Sequence, residues 1–275
     1  MQELWKVAIL AVVQGVTEFL PISSDGHLVV ASLFLGVPIE EDPQLHDLFV
    51  VLHFGTLLAI VVVYFERLKL LLTQHRNLLW PLFVGSLPAG IVGVAIKEGL
   101  PKSVENLVLL NPVVTAVGFL VTAAALLIGG SAKKGERDYL TITVWEAFFI
   151  GCSQALAILP GVSRSGMTIS TGLGLGFAPK SAASFSFLLG VPVICGATLL
   201  GAVKSLKPEP IIAGSANVVP PMSPLYLLVG VAISFVVGVA SLKLLIGILE
   251  SGKFQWFAYW CIPMGIGLLV YSLLF

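Results

Sequence analysis

The chain has 275 residues, 57% of them hydrophobic and only 11% charged, with zero formal net charge at neutral pH. Soluble domains carry about 25% charged residues, so most of this surface is not made for water, and the absence of a basic excess argues against a nucleic-acid partner. Long apolar runs in place of period-two alternation point to membrane helices and exclude a closed barrel.

The first apolar stretch, 3–19, has Lys6 as its only cation, is interrupted by Glu3 and Glu18, and is followed by no small-residue cleavage site. It reads as part of the mature protein rather than as a signal peptide. It leads into a polar loop, Glu18-Phe-Leu-Pro-Ile-Ser-Ser-Asp-Gly-His27, and then a short apolar piece over 27–36. Long segments near 44–64, 79–98 and 108–128 follow, each able to cross a hydrocarbon core of ~30 Å with its ~20 residues. After a charged stretch the pattern returns: a short piece over 143–158, the loop Leu159-Pro-Gly-Val-Ser-Arg-Ser-Gly-Met-Thr168, and another short piece over 167–176. Three more long segments lie near 182–203, 224–249 and 254–274. Glu40, Glu41, Asp42 and the 133–138 cluster read as solvated loops. Cys152, Cys195 and Cys261 show no metal spacing and read as small buried hydrophobes.

The pieces beside each polar loop are too short or too interrupted to span alone. Pro21 and Pro160 cannot continue a helix, while Gly26 and Gly166 permit a tight backbone. A helix that enters, breaks and returns satisfies this pattern. The expected fold is therefore all-α: six transmembrane helices plus two re-entrant helical hairpins in a single membrane domain, 1–275.

The two halves, 1–130 and 140–275, are related. An offset of 140 places Trp5 on Trp145, Gln14 on Gln154, Ser23 on Ser163, Gly26 on Gly166 and Gly36 on Gly176. Each half crosses three times, an odd number, so the second starts on the opposite side and the repeat is inverted. The hairpins then enter from opposite faces, and Glu18, Ser24 and His27 can meet Arg164 at mid-membrane. Lysine and arginine fall nine to one side and five to the other, which places both termini outside.

Lipid cannot satisfy bare backbone or charge, so polar loops at membrane depth imply a function. Glu18, Ser23, Ser24, Asp25 and His27 offer carboxylates, hydroxyls and an imidazole, and Ser163, Arg164, Ser165 and Thr168 add a guanidinium and more hydroxyls. Arginine with hydroxyls and helix-start amides suits an anionic oxygen cluster, above all phosphate. Serine near histidine makes a nucleophile–base pair, and a carboxylate can orient the histidine or hold a divalent cation. Phosphoryl transfer on a ligand with a charged head and an apolar remainder fits this set. A secondary transporter or lipid flippase with inverted repeats is the alternative, and the Ser-Ser-x-Gly-His run weighs against it, because transport needs no nucleophile–base pair. Ser170, Thr171, Ser184 and Ser186 read as hydroxyls bonded to their own backbone. His46, His53 and His75 read as interfacial or structural, although His53 lies within a span and could line the cavity. Glu18 and Arg164 could also pair simply to tie the halves together.

The segment from Gln14 to His27, with Pro160-Gly-Val-Ser-Arg-Ser-Gly-Met-Thr168, resembles the two signatures of the undecaprenyl-diphosphate phosphatases of the bacitracin-resistance (BacA) type. The resemblance covers essentially the whole chain, including Phe185-Ser-Phe-Leu-Leu-Gly-Val-Pro192. It implies an inner-membrane hydrolase that removes the terminal phosphate of the C55 isoprenoid diphosphate, recycles the lipid carrier of cell-wall synthesis and confers resistance to bacitracin. The family's catalytic glutamate falls on Glu18, its paired serines on Ser23 and Ser24, its histidine on His27 and its phosphate-binding arginine on Arg164. Ser163, Ser165, Gly166 and Thr168 surround the diphosphate. A divalent cation, Mg²⁺ or Ca²⁺, is expected on Glu18 and Gln14, in a pocket open to the outer, periplasmic face. Ser24 is the preferred nucleophile with His27 as base, with direct attack by His27 or by water left open. Oligomeric state is open too, a homodimer included. Gln14 stands where many members have glutamate and Asp25 where threonine is usual; the amide can ligate through its oxygen but brings no charge, which Asp25 could supply.

Overall fold

The computed structural model describes residues 4–37, 43–101, 104, 108–109, 111–206 and 222–274. Among these the chain forms eleven α-helices: α1 (Leu4–Thr17), α2 (Ser24–Phe34), α3 (Pro43–Val63), α4 (Phe65–Thr73), α5 (Leu79–Gly99), α6 (Pro112–Ser131), α7 (Val144–Leu156), α8 (Arg164–Gly174), α9 (Pro179–Leu206), α10 (Pro224–Glu250) and α11 (Ala258–Leu274). Five are long and apolar enough to cross a membrane: α5, α6, α9, α10 and α11. A sixth is reached if α3 and α4 count as one span, bent by 70° at Tyr64. Exposed side chains such as Trp80, Ile91, Ile128, Leu228 and Leu273 cover the outside, as expected of helices whose solvent is lipid.

Local sequence sets the ends. Asn111 caps α6 by accepting from the Val113 and Val114 amides, with Pro112 in the first turn, where its missing N–H costs nothing. Thr143 and Glu146 form a reciprocal capping box on α7. The short helices match the expected hairpin pieces, but α2 and α8 begin earlier, at Ser24 and Arg164, so those two side chains belong to first helical turns rather than to the loops.

Packing crosses between the halves. Helix α1 lies on α10, and α7 lies on α5; α3 packs on α10 and α9, and α6 on α11 and α8. Small residues allow the close approaches: a Cβ on Gly151 would strike the Gly85 carbonyl of α5. The main apolar core lies beneath the loops, with Phe19, Tyr64, Phe187 and Leu245 fully enclosed.

The charged residues of the 133–138 loop are exposed, as expected, and two of them are also paired. Arg137 is one. It donates to both Glu146 oxygens at 2.7 and 3.2 Å, lies 4.6 Å over the Phe177 ring and bridges to the backbone of Phe177. Asp138 caps the turn at Leu140 and accepts from Ser181. Of the cysteines only Cys261 is fully buried, and Cys152 is exposed. Glu40, Glu41, Asp42 and the side chain of His46 lie outside the described residues, as do several lysines used in the orientation count.

Candidate active site

The polar loops meet. A Cβ on Gly26 would collide with the Phe119 ring and with Gly161, its Cα only 2.9 Å away. The Ser165 hydroxyl donates to the Leu20 carbonyl at 3.4 Å. Thr122 of α6 clips the second loop, donating to the Gly161 carbonyl and accepting from the Ser163 amide, both at 2.8 Å. Each second helix is capped alike: Ser23 accepts from the Gly26 amide at 3.3 Å, and Ser163 from the Gly166 amide at 3.1 Å. The loops differ in strain. Ser23 has φ 71°, the one positive φ outside glycine among the described residues, a conformation that persists only where surrounding contacts enforce it.

Glu18 is the hub. Its side chain is 5% exposed, and Arg164 Nη2 donates to Oε1 at 3.1 Å. Oε2 accepts from the Ser24 hydroxyl at 2.8 Å and from Gln14 Nε2 at 3.0 Å. Arg164 also donates to the Ser186 carbonyl at 3.4 Å, and its guanidinium rests on Gly190, where any Cβ would strike it. Thr168 shares a 2.6 Å hydrogen bond with the Ser186 hydroxyl. The residues expected from sequence are thus gathered: Gln14, Ser24 and Arg164 on Glu18, with Ser23, Ser163, Ser165, Gly166 and Thr168 in the two helix starts.

His27 is placed differently from a base on Ser24. Its Nδ1–H donates to the Ser23 carbonyl at 2.7 Å, and its Nε2 accepts from Trp260 Nε1 at 2.9 Å. The ring stacks on Trp260 and meets Phe119 edge-on. In this arrangement the acceptor touching the Ser24 hydroxyl is Glu18.

His53 lines the site. Its Nδ1 is anchored to the Phe49 carbonyl at 2.8 Å, and Nε2 stands 3.7 Å from Glu18 Oε2 and 3.6 Å from Asp25 Oδ1. Asp25, half exposed, marks the open side of this cluster. Ser186 and Ser170 depart from the own-backbone reading: Ser186 bonds Thr168, and the Ser170 hydroxyl is buried with no hydrogen-bond partner. Thr171 and Ser184 follow it, donating to Met167 and Lys180 carbonyls, and Ser184 accepts from Arg67 besides. Ser186 and Gly190 lie one turn apart within the 185–192 stretch, the one sequence signal for their shared face. Nothing in the sequence marked Trp260 or Thr122.

For a cation, the telling atom is Gln14 Oε1. It is fully buried with no hydrogen-bond partner, on an amide whose nitrogen already touches Glu18. An orphaned carbonyl oxygen beside a carboxylate is the hard-oxygen chemistry that Mg²⁺ and Ca²⁺ take. Among the described residues no three His, Cys, Asp or Glu side chains converge as a complete cage, so water and phosphate oxygens would complete the shell.

The whole chain is similar to known proteins. The family model described as bacitracin resistance protein BacA matches residues 7–267. The chain belongs to that family. It is 41% identical over 266 residues to the undecaprenyl-diphosphatase of Rhodopirellula baltica, covering 97% of each chain. It is 36% identical over 280 residues to that of Trichlorobacter lovleyi, covering 97% of this chain and 96% of the relative. The undecaprenyl-diphosphatase of Bacteroides fragilis is 35% identical over 278 residues, with 98% of each covered. Both polar loops fall inside the BacA match, and the apolar helices make the chain a multi-pass membrane protein.

Proposed function

We propose that this chain hydrolyses undecaprenyl diphosphate to undecaprenyl phosphate and inorganic phosphate, returning the lipid carrier to cell-wall synthesis. The carrying observation is the chain Ser24–Glu18–Arg164, which puts a hydroxyl, a proton acceptor and a phosphate-binding guanidinium in contact across two loops 146 positions apart. Transport is not favoured, since the relatives above are named for hydrolysis.

Arg164 and the first-turn amides of α8 hold the diphosphate oxygens. Ser24 Oγ attacks the terminal phosphorus while Glu18 Oε2 takes its proton, and the bond to the bridging oxygen breaks to release undecaprenyl phosphate. Water then cleaves the phosphoserine to inorganic phosphate, and the serine regains its proton. His27, one turn along α2, is the imidazole of the loop and the second candidate for handling these protons. A divalent cation on Glu18 and Gln14 Oε1 would neutralise charge developing on the phosphate oxygens. His53 stands between the Glu18 and Asp25 carboxylates, and the two residues complete the polar wall.

The topology we infer is six spans with two re-entrant hairpins, in halves 1–130 and 140–275 of opposite orientation. Supporting it is the exchanged packing, α1 on α10 and its counterpart α7 on α5. Both termini and the pocket mouth then face the outer side, and the isoprenoid tail lies between spans.

Purified protein supplied with undecaprenyl diphosphate should release phosphate, stop when chelator is added, and resume with Mg²⁺ or Ca²⁺. Acid quenching with labelled terminal phosphate should trap label on Ser24. Full activity in Arg164→Ala or His27→Ala would remove the site assignment, and substrate movement in liposomes without phosphate release would restore the transporter.

A further inference from the structure

Where α10 turns into α11, the lipid-facing surface carries a groove of about 660 Å³ lined by Lys243, Leu244, Gly247, Ile248, Trp256 and Trp260, with Lys253 at its rim. Its floor is apolar and its head end is cationic. Lys253 lies 4.6 Å over the Trp256 ring. Lys134, from the segment after α6, adds a third ammonium, its Nζ 3.4 Å from where a Cβ on Gly252 would sit. Among the described residues none of these three lysines has a carboxylate within ion-pair distance. Lys69, Arg137 and Lys180 each do, and Lys180 occupies Glu250, the acid that ends α10.

Two unpaired ammonium groups, Lys134 and Lys253, where α10 ends, beside Trp256 and at the mouth of an apolar trough, fit one chemistry; Lys243 lies two turns back along α10 at the far end of the trough. We propose that this groove seats an anionic phospholipid of the bilayer, its phosphate between Lys134 and Lys253 and an acyl chain running from there along Ile248, Gly247 and Leu244. An apolar lipid face would take any acyl chain. Head selectivity comes from the lysines, because basic residues at the interface attract anionic lipid through simple charge, and from the indoles, which favour headgroup depth. Gly247 leaves the trough open, with nothing within 4 Å of a Cβ placed there. Trp260 ends the groove, and its indole N–H reaches His27, so the seat stops one hydrogen bond short of the first polar loop. This site is separate from the hydrolytic reading and does not depend on it.

The test is lipid retention by the full-length protein in native mass spectrometry. Phosphatidylglycerol, phosphatidylcholine, a polyprenyl phosphate and inorganic phosphate are offered separately. The expected result is about tenfold stronger retention of phosphatidylglycerol than of phosphatidylcholine. Lys134→Gln with Lys253→Gln should abolish that preference while phosphate release in detergent stays at the wild-type level. Gly247→Leu, which fills the trough and leaves every lysine in place, should lower retention of phosphatidylglycerol at least fivefold. Equal retention of the two phospholipids by wild type, or an unchanged preference in the double variant, overturns the proposal. So does preferential retention of the polyprenyl phosphate or displacement of lipid by millimolar inorganic phosphate, which would make the groove a product or free-anion site.

Discussion

Arg164 Nη2 donates to Glu18 Oε1 at 3.1 Å, joining residues 146 positions apart with side chains 14% and 5% exposed. A buried pair of this kind is worth little against an apolar replacement, but breaking it strands a charge. Arg164→Ala should therefore destabilise the protein by about 3–5 kcal/mol as well as abolish phosphate release. Glu18→Gln with Arg164→Met should recover much of the stability and none of the activity. Arg164→Lys should not restore turnover, because one ammonium cannot serve both Glu18 and the Ser186 carbonyl with the fixed fork of a guanidinium. Thermal unfolding in detergent and phosphate release measure the two effects separately.

Gly190 is the seat of that guanidinium. A Cβ there meets Arg164 directly, so Gly190→Ala should push the arginine out of line and cost about 10²-fold in kcat/KM, the penalty expected for a displacement near 1 Å. Gly174, at the end of α8, has open space around it. Gly174→Ala should leave activity unchanged and raise stability by about 0.5–1 kcal/mol. Equal behaviour of the two variants would show that Arg164 is not held by Gly190.

How far these features could be read in advance depends on their range. The hairpin pieces were legible because Pro21, Pro160 and the serine–glycine caps act within a few residues of themselves. The meeting of Glu18 with Arg164 was legible because the two polar loops recur at an offset of 140 and each carries charge that lipid cannot satisfy. Trp260 was invisible: it reaches His27 from 233 residues away, and a tryptophan near a helix end looks like an interfacial anchor. His53 looked structural, since only packing brings α3 against the first loop and sets its Nε2 between two carboxylates. Arg137 is exposed, as its charged loop suggested, but its partners, Glu146 and the backbone at 175–178, could not be read in advance because they are set by how α7 and α8 fold back.

Trp260 fixes the tautomer of His27. With Nε2 accepting from the indole and Nδ1–H donating to Ser23, the ring has no free nitrogen. Trp260→Phe keeps the stacked ring and deletes the donor, so it should lower kcat by about 10²-fold, the low end of general acid–base effects, and change the shape of the pH–kcat/KM profile. A purely structural tryptophan would lower stability and leave that profile unmoved. Phosphate release across pH distinguishes these outcomes.

Gln14 offers a direct probe of the cation reading. Its Oε1 is buried without a partner beside Glu18, so Gln14→Glu adds a charged ligand where a neutral one stood. Cation affinity, read by isothermal titration without substrate, should rise about tenfold, in keeping with tuning of such sites by ligand charge. Asp25→Thr should lower that affinity if the half-exposed carboxylate contributes charge. Unchanged affinity in Gln14→Glu would place the cation elsewhere.

Acid sensitivity should arise at the other end of hairpin two. Arg137's hydrogen bonds hold the Glu146 carboxyl down to about 2 from an ordinary 4.5, and Thr143 adds backbone and hydroxyl donors. The folded state thus favours the charged form, and this stabilisation is complete above the ordinary value and fades as pH falls from 4.5 towards 2. Thermal stability in detergent should therefore drop through that window. Glu146→Gln should be less stable than wild type at neutral pH, and its acid limb should be flatter. Parallel limbs in the two proteins would mean that Glu146 does not carry the acid response, and that the carboxylates of the meeting loops do.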